Sequence, residues 1–177
     1  MHYYVVQVRT GFESKYCRLA APNLADEDGD LLWPRRTLRI RKKGKFKDKE
    51  IALFPGYLFL RAESLTDLAY RTLRRTNGFS HFLPDNQRVE PLSRSDEELI
   101  SHFLSFGEVL QKSRVFFDEN NRIRVVHGAL RGLEGKIVKV DRRKQRAKVA
   151  LSLYEDSFLI DLGFDLLETA SGSEDGA

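Results

Sequence analysis

Hydrophobic periodicity changes once along this chain, and the change limits the fold more than any motif does. Up to residue 107, strand-like and helix-like patterns take turns. Tyr3 to Val8 is an aromatic and β-branched run that ends at Thr10-Gly11, which predicts a buried first strand. Phe12, Tyr16, Leu19 and Ala20 follow at helical spacing until Pro22 stops the pattern. Leu38 and Ile40 alternate with Arg39 and Arg41, giving a strand with one charged face and a hairpin tip at Lys42-Lys43-Gly44-Lys45. Ile51 to Leu60 reads as a further apolar strand. Pro55-Gly56 stands in its middle, where a central strand does not tolerate it, so the chain must bend or bulge there. Ser64 or Thr66 caps a helix carrying Leu65, Leu68, Ala69 and Leu73, which Asn77-Gly78 closes. A short strand over Ser80 to Leu83 comes next. Ser95 and Glu98 then make a capping box ahead of Leu99, Ile100, Phe103 and Leu104, with Gly107 beyond the helix.

Past Asp118-Glu119-Asn120-Asn121 the helical period is gone. Val125, Val138, Val140, Val149, Leu151, Leu153, Phe158, Ile160 and Leu162 fall in short alternating segments between turns, the pattern of a small all-β barrel. The expected organisation is therefore an α+β domain over 1–107, a linker over 108–121, a β-barrel domain over 122–169 and a disordered, acidic tail over 170–177. A length of 177 residues holds one ordinary domain or two small ones.

Charge is concentrated in two islands. Pro34 to Lys49 holds nine basic residues against the single acid Asp48, and Arg122 to Ala150 holds ten against Glu134 and Asp141. Leu151 to Ala177 holds seven acids and no Lys or Arg. A net charge of only +4 hides this distribution. Separate basic islands can each neutralise phosphates and release counterions. The alternative is a solvated hairpin and a solvated strand face.

Several chemistries are excluded. The longest apolar runs fall short of the roughly 20 residues needed to cross a bilayer, and MHYYVVQVR has no basic leader or cleavage site, so a cytoplasmic location is expected. A lone Cys17 makes no internal disulfide, and four scattered histidines give no zinc spacing. Asp26 to Asp30 resembles a calcium loop, but its sixth position is Leu31 and its twelfth is Thr37. Gly128, Gly132 and Gly135 before Lys136 are not a phosphate loop, because Ile137 stands where Ser or Thr would hold magnesium; they read instead as turn glycines. His81 and His127 have no partner for acid–base work. No cofactor, no metal and no enzymatic activity are expected.

Three blocks carry a resemblance: Tyr3-Tyr4-Val5-Val6-Gln7 with Gly11 and Glu13; Phe54-Pro55-Gly56-Tyr57-Leu58-Phe59; and Val125, Gly128, Gly132, Gly135 and Ile137 at their spacing. Together they resemble the NusG family of transcription elongation factors, in order, over residues 1 to about 169. The resemblance implies an N-terminal NGN domain, with a four-stranded, mainly antiparallel sheet flanked by helices, and a C-terminal SH3-like barrel bearing the KOW motif. Within the family, Gly78-Phe79-Ser80-His81-Phe82 and the stretch Val140 to Val149 are most similar to the specialised antitermination types, RfaH and above all LoaP. That likeness implies an operon-specific, monomeric factor whose barrel binds a structured RNA hairpin in a leader transcript.

The resemblance also assigns residues. Tyr3, Phe54, Tyr57 and Phe82 correspond to an apolar pocket for the clamp helices of the largest RNA polymerase subunit; the alternative is that all four are core. Arg146 and Lys148 lie two apart on a strand whose other face is Ala147, Val149 and Leu151, so both point outward, beside Arg142, Arg143 and Lys144 in the adjoining turn. Arg39, Arg41, Lys42, Lys43 and Lys45 are expected near DNA or emerging RNA. Tyr154 stands where the housekeeping factor has an aromatic for a ribosomal protein. A housekeeping factor contacting Rho and the ribosome, and a ribosome-associated RNA-binding protein, stay open as alternatives. The glycines and β-branched residues of the second domain predict a permanent barrel, not the helical form with which RfaH-type proteins hide their pocket.

Overall fold

The computed structural model describes residues 1–168, so the tail expected over 170–177 lies outside them. The first module runs β1 (His2–Val8), α1 (Glu13–Ala20), β2 (Asp30–Leu32), β3 (Arg35–Lys42), β4 (Lys45–Ala52), β5 (Tyr57–Ala62), α2 (Asp67–Arg75), β6 (Phe79–Phe82) and α3 (Arg94–Leu104). The chain continues with β7 (Val109–Leu110), β8 (Ser113–Phe117), β9 (Ile123–His127), β10 (Ile137–Asp141), β11 (Arg146–Leu153) and β12 (Asp156–Leu166).

Strand alternation builds the centre of the first module. Its four-stranded sheet has the order β2-β5-β1-β6 with every pairing antiparallel. Tyr4, Val6 and Val8 face one side with Leu58 and Leu60, against Tyr16 of α1 and Leu73 of α2. Tyr3, Val5 and Phe59 face the other, with Ile100 and Phe103 of α3. Helices thus cover both faces, as an α+β domain of this kind requires.

The apolar run Ile51 to Leu60 is two strands in two different sheets. β4 ends at Ala52 and β5 starts at Tyr57, because Pro55 has no amide to give and Gly56 takes a φ of +81°. Buried Glu13 fixes the bend by accepting the Gly56 N–H on Oε1 at 2.7 Å, while the Val8 N–H donates to the Gly56 carbonyl at 2.8 Å. The β3–β4 hairpin turns at Lys43-Gly44, both at positive φ, as a two-residue hairpin prefers. Helix α3 is capped by Ser93, two residues before the expected Ser95: its hydroxyl accepts the Asp96 N–H at 3.3 Å and bonds the Asp96 carboxylate. Strand β2 starts at Asp30, where the acidic stretch ends; it pairs with β5, and Asp30 meets Arg61 at 2.7 Å.

Residues 108–121, expected as a linker, instead carry β7 and β8. Strand β7 extends the hairpin in the order β4-β3-β7, parallel to β3. Strand β8 joins a five-stranded sheet, β10-β11-β12-β8-β9, parallel to β12 and antiparallel to β9. In β8 only Ser113-Arg114-Val115 alternates before two partly buried phenylalanines, too little for period alone to mark a strand. The second module is all-β apart from a 3-10 turn at Glu134–Lys136, with Val115, Leu130, Val149, Leu151, Ile160 and Phe164 in its interior. Of its three motif glycines, Gly128 and Gly132 take positive φ; Gly128 also lies so close to β8 that a Cβ there would meet Ser113 Cα at 2.6 Å.

Candidate functional site

The bend at Pro55-Gly56 aims two rings at one place. Phe54 in the bend and Tyr57 at the start of β5 share a sheet face with Tyr3 of β1. Phe54 meets Phe59 and Phe103 edge-on, with centroids 6.0 and 6.3 Å away. The patch is not open. Phe158 of β12, from the second module, stands edge-on to Phe54 at 5.3 Å and to Tyr57 at 5.6 Å. Phe54 is left 1% exposed and Tyr3 8%. The Tyr57 hydroxyl donates to Asp156 Oδ2 at 3.3 Å; burial first, then the neighbouring carboxylate, raise its pKa and keep that proton in place. Phe82 is not part of this group. It pairs with Val6 on the opposite face of the sheet and stacks on Tyr70 at 5.2 Å.

Beyond Phe158, polar contacts seat the second module. Arg146 Nη2 donates to the Arg39 carbonyl at 2.7 Å, and Arg39 Nη1 to Gln145 Oε1 at 3.1 Å. Lys112 Nζ bridges Asp48 of β4 at 3.1 Å and Asp165 of β12 at 3.0 Å. The Tyr154 N–H donates to Asp96 Oδ2 at 3.3 Å, and His102 Nε2 lies 2.8 Å from the Ala129 carbonyl. At Gly163, β12 comes so near β3 that a Cβ would fall 2.7 Å from the Thr37 carbonyl oxygen. Sequence reasoning missed Phe158 and Gly163 as contact residues. A glycine within an apolar strand is itself the signal for close backbone approach.

The expected outward pair on β11 is outward: Ala147, Val149 and Leu151 are buried beneath it, while Arg146 and Lys148 both reach Asp161, at 3.8 and 3.3 Å. Arg142 lies over the Phe117 ring at 3.7 Å and donates to Asn121. Arg143 and Lys144 are exposed in the β10–β11 turn. In the first module Arg39 covers the Phe46 ring at 4.0 Å, with Arg41 at 5.9 Å, and Lys42, Lys43 and Lys45 are exposed around the hairpin tip. Arg39 and Arg41 share a cleft of about 450 Å³ with Arg143, Lys144 and Arg146.

Among the described residues no three His, Cys, Asp or Glu side chains are grouped to hold a metal, and no helix is long and apolar enough to cross a membrane. Burial, then the charge of Glu108, push the Cys17 thiol up to about 12, so it stays protonated.

An α+β module with an aromatic patch, closed over by an all-β module, is the class that fold and surfaces define. Residues 1–101 match the family model described as "Transcription termination factor nusG", and the chain belongs to the NusG family. It is 26% identical over 158 residues to the transcription termination/antitermination protein NusG of Streptococcus pyogenes (strain MGAS315), covering 86% of this chain and 87% of that protein. The protein of the same name from Helicobacter pylori (strain J99) is 24% identical over 177 residues, covering 95% and 98%. A solved structure described as "Domain interaction in Thermotoga maritima NusG" matches the fold with a TM-score of 0.53 at 18% identity, over 92% of this chain and 93% of that one.

Proposed function

We propose that the chain is an operon-specific elongation and antitermination factor. Its N-terminal module docks on the RNA polymerase clamp helices through Tyr3, Phe54 and Tyr57. Arg142, Arg143, Lys144, Arg146 and Lys148 of the second module take an RNA hairpin of the leader transcript. Phe82, on the opposite face, supports the sheet from behind.

One observation carries this reading. The cover of the Phe54–Tyr57 patch comes from a separate module, through the Phe158 ring and a small set of polar bonds. Withdrawing that module uncovers a contiguous aromatic surface of the kind that marks a protein-binding site. The closed arrangement is then a resting form, and polymerase competes with Phe158 for the same rings. The second module does this as a barrel, without becoming helical.

Capture of RNA polymerase by tagged protein tests the reading. Gly163→Ala, which forces the modules apart, should raise capture above wild type, and adding Tyr57→Ala should return it to background. Equal capture by all three folded proteins would overturn it. A second reading, a general factor contacting Rho and the ribosome, draws on similarity along nearly the whole length to proteins named for termination and antitermination. Tyr154 would then be the ribosomal contact. Depletion of the protein separates the two: one operon changes under the first, many under the second.

A further inference from the structure

The two basic islands lie about a hundred residues apart in the chain, yet the closed arrangement makes them two walls of one cleft. Arg39, Ile40, Arg41 and Phe46 form the hairpin wall; Arg143, Lys144 and Arg146 form the opposite one. Among the described residues five cations and no carboxylate line it. An adjoining hollow shares Lys144 and Arg146 and adds Lys139 and Lys148, with Asp141 and Asp161 as its acids. Those acids are already engaged: Asp161 pairs with Arg146 and Lys148, and Asp141 accepts the Lys144 N–H. Closure therefore gathers seven cations against two acids across the cleft and the hollow, and an anion between the walls relieves that excess. Phe46, 39% exposed, offers an aromatic ring beside these cations, and the buried Arg146 Nε has no hydrogen-bond partner among the described residues.

We infer that the closed form has a nucleic-acid site of its own: a single RNA strand whose phosphates are held from both modules, with a base against Phe46. This rests on the proposed RNA-binding role of the second module, and it adds that the hairpin of the first module completes the site. Lys42, Lys43 and Lys45 continue the positive surface past the cleft, so a chain of phosphates can follow it where one small anion cannot. A strand gripped by both walls binds the closed form better than the open one and shifts the population toward it. RNA in the cleft thus keeps the aromatic patch covered.

The test is fluorescence anisotropy of labelled oligouridylate on the full chain, across a salt series. For about four phosphates the slope of log affinity against log salt should be near −3 for a single strand. Arg41→Glu should weaken binding about tenfold in the wild-type background and less than twofold in Phe158→Ala or Gly163→Ala, two openers at different points of the interface. Movement of the Phe54 and Tyr57 ring resonances verifies opening. An equal Arg41→Glu effect in closed and opened proteins, or none in either, overturns the composite site while leaving RNA binding by the second module standing. Absence of binding by the wild type at low salt overturns both.

Discussion

Gly163→Ala is a one-methyl probe of how the two modules meet. The added Cβ would lie 2.7 Å from the Thr37 carbonyl oxygen and 3.0 Å from Lys112 Cγ. The lysine stem can swing aside. The carbonyl cannot, because Thr37 sits within β3 and pairs with Glu50 of β4. A carbon and a carbonyl oxygen settle at about 3.3 Å or more, so β3 and β12 must part by roughly half an ångström or more. Overpacking of this kind costs about 1–3 kcal/mol, which moves the closed-to-open ratio by about fivefold to about 150-fold. The second module itself should not suffer, since Gly163 is not among the glycines at positive φ and alanine in a strand loses less backbone entropy. Amide hydrogen exchange on the full chain is the assay. Exchange should quicken around Thr37, Tyr57 and Phe158, while Val149 and Leu151 inside the second module keep their protection. Unchanged exchange at Thr37 and Phe158 would refute the steric reasoning; loss of protection at Val149 would show damage to the fold instead.

Three further outcomes follow from the geometry. The Asp118 and Asp141 carboxyls are held below their ordinary 3.8, first by the backbone N–H groups of Arg122 and Lys144 respectively. A lowered folded-state pKa adds stability above the unfolded value that is lost as pH falls through the folded one. Melting temperature should therefore drop below pH about 4, and less steeply in Asp118→Asn and Asp141→Asn. With its thiol pushed up to about 12, the partly buried Cys17 should react with iodoacetamide far more slowly in the native protein than in denaturant at mildly alkaline pH; equal rates would contradict that raised pKa. Thr66→Ala removes the side chain that accepts the Ala69 N–H at 3.0 Å, and should cost about 1 kcal/mol in chemical unfolding.

Much of the first module was legible because its elements are locally determined. Helix period located α1, α2 and α3, the β-branched run located β1, and Lys43-Gly44 marked the hairpin turn. Strands β2, β7 and β8 were not legible, since the partners that make them strands lie far away in sequence and their own alternation is too short. The resemblance singled out Phe54 and Tyr57, and the Pro55-Gly56 bend accounts for their meeting on one face. Nothing local separates Phe82 from them; only its register opposite Val6 assigns it to the other face. The cover on the patch has no local signature. Phe158 and Gly163 read as ordinary residues of a β-strand, and their role arises only when two separately patterned modules pack together. For the same reason the basic islands looked independent until packing made them face each other.

Hydrogen exchange on the full chain, with and without RNA polymerase, tests most directly whether the second module is a removable cover. If it is, polymerase slows exchange over Phe54 to Phe59 and quickens it at Asp156 and Phe158, which lose their partners across the interface. Bound polymerase that leaves both segments as they are in the free protein would contradict that claim.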